Sequence, residues 1–278
     1  MNLVLVSRSL RDSWPLLLSC SALAMGFTWL RVWVASHIKV DAFLKFFSES
    51  FQFFQSLLPV PIEDLAAPLG RVAFSFEEFG LVLLMGLWGI TRGTDCIAGR
   101  LGAGTMEMLL AQPIRRVTLV TSHTLVTLLG VLVISATSWL GVRLGLAVSK
   151  FDEPPHWTEV APAVLNFVGL GVFIVGAATL ISALVRTRGT AVGLVIGFYV
   201  VEMTLVIVGR ISQQFEWMKW LTILTAYEPT LLTLGLERDP AQFETLFWQY
   251  NACLFGLGGL LLAMSVMIFC HRDVPAPL

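Results

Sequence analysis

The sequence predicts an all-α polytopic membrane protein, a single domain of 278 residues that crosses the bilayer six times. Three observations carry that prediction. With 56% hydrophobic and 13% charged residues and a mean hydropathy of +0.79, the chain has too little polar surface for a water-soluble globule of this size. The apolar residues gather in blocks long enough to cross a hydrocarbon core of about 30 Å at about 1.5 Å per helical residue. Those blocks are continuous runs, such as 125–136 and 170–184. They lack the alternating polarity of the roughly ten-residue strands in a membrane barrel.

The elements follow in chain order. Leu3, Val6, Leu10 and Trp14 recur at spacings of three and four, which predicts a short interfacial helix with Arg8 and Arg11 on its other faces. Span one covers about 15–34. Basic residues before an apolar block also fit a signal peptide, but this block exceeds a usual h-region and no A-x-A-like site precedes Ser36, so a retained helix is expected. From 36 to 76, charges mix with phenylalanines 43, 46, 47, 51, 53 and 54, a composition suited to the headgroup zone, and Pro59, Pro61 and Pro68 divide it. Span two, about 77–92, is the shortest. Spans three to six cover about 117–147, 160–185, 189–208 and 249–270. Between the last two, apolar pieces at 217–226 and 230–236 flank Glu228-Pro229. Each is too short to span alone, and shallow re-entrant helices are one solution, allowed if their broken backbone is buried in protein.

Six spans put both termini on one face, together with the loops between spans two and three and between four and five. That face carries Arg8, Arg11, Arg92, Arg100, Arg115, Arg116, Arg186, Arg188 and Arg272 against Asp12, Asp95, Glu107 and Asp273. Its segments are the shorter ones, so its positive charge is the denser, and the positive-inside rule predicts that both termini are cytoplasmic. A formal net charge of −1 argues against a general attraction to nucleic acid.

In the loop between spans two and three, Gly104-Thr105 is a helix-start signal, Glu107 lies in the first turn and Pro113 is a stop. A short surface helix is expected, with an apolar face of Met106, Leu109 and Leu110 that needs cover from membrane, bundle or partner. Here the chain resembles the permease subunits of ABC-2 type ATP-binding-cassette transporters, in which a cytoplasmic loop carries a pattern close to G-T-x-E-x-L-L-x-x-P-[IV]-x-R. Gly104, Thr105, Glu107, Leu109, Leu110, Pro113, Ile114 and Arg116 match it. Ala98-Gly99-Arg100-Leu101 stands where the family often has acidic residues, and a lysine common after the motif is replaced near His123.

The resemblance implies a permease, an exporter in the family's commoner role, in the inner (plasma) membrane. It also implies that Gly104, Thr105, Glu107, Leu109, Leu110, Pro113, Arg115 and Arg116 couple it to a separate ATPase subunit, which binds ATP and Mg, and that a second permease copy or homologue completes the path. No G-x-x-x-x-G-K-[ST] pattern occurs, so ATP hydrolysis is not expected in this chain and no cofactor is expected in it.

Glu202 lies within span five, where a carboxylate is costly; it is the candidate residue of the transport pathway, against a structural hydrogen bond to Thr204, Asn166 or another helix. Arg143 is expected to snorkel outward, and His123 to pack. Asp152, Glu153, His156 and Glu159 are ligand types, but Pro154-Pro155 marks an outer turn rather than a metal site. The cysteines 20, 96, 253 and 270 form no C-x-x-C cluster. Neither H-E-x-x-H nor a defensible Ser/His/Asp set is present. Two other functions compete with the permease: an intramembrane lipid-modifying enzyme using Glu202 or the acidic outer loop, and a non-transporting scaffold of an envelope assembly.

Overall fold

The computed structural model describes residues 3–38, 60–211 and 213–272. Most of the phenylalanine-rich stretch, and Asp273, lie outside them. Helices account for nearly all of the described residues, without a strand among them, and six are long and apolar enough to cross a membrane.

Helix α1 runs unbroken over Leu3–His37, where the sequence suggests a separate helix ahead of span one. No glycine or stop signal lies between Leu3 and Trp14, and the helix runs on through Pro15, although that residue lacks an N–H and crowds the Arg11 carbonyl one turn back. The inward face of α1 carries small and polar residues, among them Ser9, Ser13, Ser21 and Thr28, while Leu3, Val4, Leu10 and Trp14 point outward. This inversion suits a helix with lipid on its outer side and close packing on its inner side.

Helices α2 (Ile62–Ala66) and α3 (Pro68–Ala73) lead through a 3-10 turn into α4 (Phe79–Thr94). Span two is longer than its apolar block suggests, because α4 continues through a π-helical turn, Asp95–Gly99, into Arg100–Gly102, and the whole stretch Pro68–Gly102 is 35 residues. Ser182 holds the wide turn: its Oγ donates to Thr94 O at 2.9 Å and accepts from Ile97 N and Ala98 N at 3.2 and 2.8 Å. Thus a side chain from span four supplies bonds that the widened ladder lacks.

Then follow α5 (Thr105–Leu110), α6 (Arg116–Ala147), α7 (Ala161–Leu184) and α8 (Arg188–Ile211). Two 3-10 helices, Gln213–Leu221 and Ile223–Ala226, precede α9 (Pro229–Arg238) and α10 (Pro240–His271). Helix α10 starts ahead of its apolar block because Asp239 caps it, accepting from Gln242 N at 3.3 Å, with Pro240 in the first turn.

Helix α7 is the centre of the bundle. In its most apolar window 78% of residues are buried, against 22% for α8 and for α10, so those two leave apolar faces open to lipid or to another chain. Small residues set the close contacts. A Cβ on Gly176 of α7 would lie 2.5 Å from Gly258 O of α10, and one on Gly141 of α6 would lie 2.1 Å from Thr28 Oγ1 of α1. Thr28 Oγ1 in turn donates to Ser138 O across that second contact at 2.9 Å.

Candidate functional site: the arginine-rich face and the segment before the last span

Helix α5 begins at Gly104, whose φ of +68° is the one left-handed backbone among the described residues. A side chain there would be strained, so glycine is what lets the chain reverse from Arg100–Gly102 into α5. Thr105 Oγ1 closes the turn on Arg100 O at 3.3 Å. Met106 is fully buried with Cys96, Ile97, Leu119, Ala183 and Phe269, and Leu109 and Leu110 pack against the same cluster. The bundle itself therefore covers the apolar face of this helix. What remains outward is Met108, 65% exposed, with Gln112, Pro113 and Arg115; Glu107 is half-buried.

Arg116, the last residue of the motif, is turned toward the bundle. Its Nη1 donates to Phe269 O at 3.3 Å and to Arg272 O at 2.5 Å, at the end of α10. Arg272 Nη1 in turn donates to Ala183 O and Val185 O, at the end of α7, at 2.6 and 3.0 Å. Carbonyls at helix C-termini lack intrahelical donors and carry partial negative charge, so each guanidinium satisfies what the helix cannot. The motif segment is thereby fastened to α6, α10 and α7 at once.

On the opposite face the chain after α8 doubles back along it. Glu202, 5% exposed, accepts from Thr222 Oγ1 and Ile223 N, both at 2.7 Å, and from Leu224 N at 3.4 Å. The carboxylate caps the 3-10 helix Ile223–Ala226, while Asn166 of α7 donates to Ala226 O at 3.0 Å at its other end. Neither Thr204 nor Asn166 bonds to Glu202 itself: Thr204 turns back to Val200 O. Removing the acceptor with Glu202→Ala is expected to cost about 1–3 kcal/mol, because Thr222 Oγ1, Ile223 N and Leu224 N all lose the carboxylate they donate to. Glu202→Gln keeps an acceptor oxygen and is expected to cost much less in a thermal-stability assay. A Gln variant that unfolds as readily as the Ala variant would show that charge, rather than the acceptor, holds the cap.

Nearby, Arg210 Nη2 donates to Glu228 Oε1 at 2.7 Å, Glu77 Oε1 accepts from Thr230 N at 2.9 Å at the start of α9, and Tyr227 OH donates to Phe76 O. Burial pushes the Glu228 carboxyl above its ordinary value of 4.5, with Arg210 opposing, and lifts the Tyr227 hydroxyl well above its own. A raised folded-state value means the stability Glu228 contributes is fully present below pH 4.5 and is lost as pH rises through that raised value. Thermal stability is therefore expected to fall over that interval in the wild type and to fall less in Glu228→Gln; parallel pH profiles would remove Glu228 as the source.

The other singled-out residues have structural partners. His156 N donates to Glu159 Oε2 at 3.1 Å in a capping box, and His156 Nδ1 lies 2.6 Å from Thr158 Oγ1. The Arg143 guanidinium stacks on Trp157, 5.4 Å from the ring centroid. No metal-holding group of three or more His, Cys, Asp or Glu residues occurs among the described residues, and the cysteines are free.

The family model described as ABC-2 family transporter protein matches residues 22–274, which takes in the second part of span one, all of spans two to six and the whole of the motif segment. The chain belongs to the ABC-2 transporter family. No curated protein matches the sequence. As an ABC-2 transporter protein it is the membrane part of such a system, and the family implies association with an ABC ATPase. Sequence reasoning about this ABC-2 protein missed Ser182, Thr222 and Arg272. Serine and threonine in a span carry no signal of which helix they will meet, and Arg272 reads only as one more basic residue near the end.

Proposed function

We propose that this chain is the permease subunit of an ATP-driven exporter in the plasma membrane, with both termini in the cytoplasm and the arginine-rich face toward a separate ATPase that binds ATP and Mg. The observation that carries the reading is the construction of the Gly104–Arg116 segment. One side is sunk in the bundle and bonded to the ends of two other helices, and the other side, Met108 with Gln112, Pro113 and Arg115, is open. A surface built this way transmits a push from outside the membrane to three spans together. Glu202 belongs to this reading through the segment it fixes against α8, which borders the transport pathway. The open apolar faces of α8 and α10 are where a second permease copy packs.

The test is affinity purification of the tagged chain in mild detergent with identification of what accompanies it. A stoichiometric subunit carrying the nucleotide-binding motif, with ATP turnover, is the expected result. A chain that purifies alone and without turnover under conditions that preserve its fold would overturn the reading in favour of an intramembrane enzyme or a scaffold.

A further inference from the structure

The arginine-rich face holds a cavity of about 450 Å³ between the first turns of α1, the π-helical turn that ends span two, α5 and the start of α6. Its size falls in the range of small-molecule pockets, roughly 300–1,000 Å³. Three of its lining residues are more than nine-tenths buried and carry a polar atom with no hydrogen-bond partner in the protein: Arg92 Nε, Ser122 Oγ and His123 Nε2. Arg92 reaches Ser9 through Nη2 alone, at 2.7 Å to Oγ, so its Nε–H is left over. Buried polar atoms without a partner are costly, and here the Arg92 Nε–H is a donor and the Ser122 hydroxyl can be one, so the cavity calls for an occupant that accepts hydrogen bonds.

The charges give the chemistry of that occupant. Arg8 and Arg100 line the cavity with Arg92, and Asp12 and Asp95 line it too. Asp95 is underused, at 4.0 Å from both His123 Nε2 and Arg188 Nη1, beyond hydrogen-bond length. A simple anion would meet the arginines and be repelled by the two carboxylates. A phosphate ester that also carries an ammonium group satisfies both sets, and guanidinium with phosphate is a strong charge-assisted pair. The position gives the source, because Leu3, Val4, Leu10 and Trp14 point outward from the same end of α1, which sets the cavity at the level where an apolar surface gives way to headgroups.

From this arrangement we propose that the cavity is a binding site for phosphoethanolamine chemistry, occupied by the headgroup of a zwitterionic phospholipid from the adjoining leaflet, with Arg92, Arg100 and Ser122 on the phosphate and Asp95 on the ammonium. The motif segment forms one wall of the site through Thr105, Met108, Leu109 and Gln112, so a partner resting on Met108 and Gln112 would border the bound headgroup.

The experiment measures binding to the delipidated full-length chain in detergent, with any subunit that co-purifies left in place. The probes are dihexanoyl phosphatidylethanolamine, glycerophosphoethanolamine, dihexanoyl phosphatidylglycerol and inorganic phosphate. Saturable binding of the first is expected, weakened about tenfold or more by Arg100→Gln and by Asp95→Asn, and unchanged by Arg238→Gln on the opposite face. Arg100 is partly exposed, so its variant remains informative if Arg92→Gln fails to fold. Glycerophosphoethanolamine binding as tightly as the lipid would support the chemistry with a soluble source, and weaker binding would support the lipid source. Phosphatidylglycerol or inorganic phosphate binding as tightly as phosphatidylethanolamine would overturn the proposal, as would binding indifferent to Arg100→Gln. Binding seen only after a co-purified protein subunit is stripped away would assign the cavity to that subunit and overturn it too.

Discussion

The double substitution Met108→Glu with Arg115→Glu is expected to lower the ATP turnover of the assembled transporter about tenfold or more, with little change in the thermal stability of the permease itself. Both side chains are exposed on the outward side of the motif segment, and neither contributes to the buried cluster beneath it. Surface changes away from packed features usually cost within about 0.5 kcal/mol, so an activity loss here reads as a lost contact rather than a damaged fold. Reversing a charge at a docking surface adds repulsion as well as removing attraction, and like charges brought together cost several kcal/mol. Met106→Glu, two residues away, is expected to behave differently. It forces a carboxylate into a site closed by Phe269, Leu119 and Ala183, where an unpaired charge is costly enough to unfold the segment. Full turnover in the double variant would mean that the ATPase does not rest on this surface.

The second large effect lies at the crossing of α7 and α10. Gly176→Val is expected to destabilise the protein by about 3 kcal/mol or more, the upper end of the usual cost of overpacking. The first added carbon alone would sit 2.5 Å from Gly258 O and 3.1 Å from its Cα, and what blocks it is backbone, which has no alternative rotamer. The reciprocal position is equally closed, since a Cβ on Gly258 would lie 2.9 Å from the Val172 backbone. The two helices would have to separate, and the Arg272 bonds to Ala183 O and Val185 O would be strained at the far end of the same contact. Gly259→Ala is the control: one residue further along α10 nothing stands within 4 Å of the added carbon, and little change is expected. Thermal unfolding in detergent compares the two, and equal melting temperatures would show that the crossing tolerates expansion.

Most of the architecture was legible because membrane helices are specified locally. A run of about 20 apolar residues has no other stable backbone in lipid, so the six spans and the loop between spans two and three could be read without knowing any contact. The errors of extent have local causes. The start of α1 is apolar in a stripe rather than a block, and the end of span two, Asp95–Gly102, is polar enough to read as loop although Ser182 completes its backbone bonding. Glu202 was identifiable as unusual from its place in a span, yet the partner it holds, Thr222, is twenty residues on in a segment whose return along α8 no periodicity announces.

The sequence by itself determined that this protein has six helices able to cross a membrane, that its arginines concentrate on one face, and that the Gly104–Arg116 segment lies on that face. Only the tertiary structure decided which side of each helix faces inward. It turned Met106 and Arg116 toward the bundle and left Met108 and Arg115 outside, set Arg92, Ser122 and His123 around one cavity, and made Glu202 a cap. The physical reason is that hydropathy fixes whether a segment enters the hydrocarbon but barely distinguishes the faces of a helix that is apolar all round. That choice falls to close contacts such as Gly176 against Gly258 and to side-chain bonds between elements far apart in the chain.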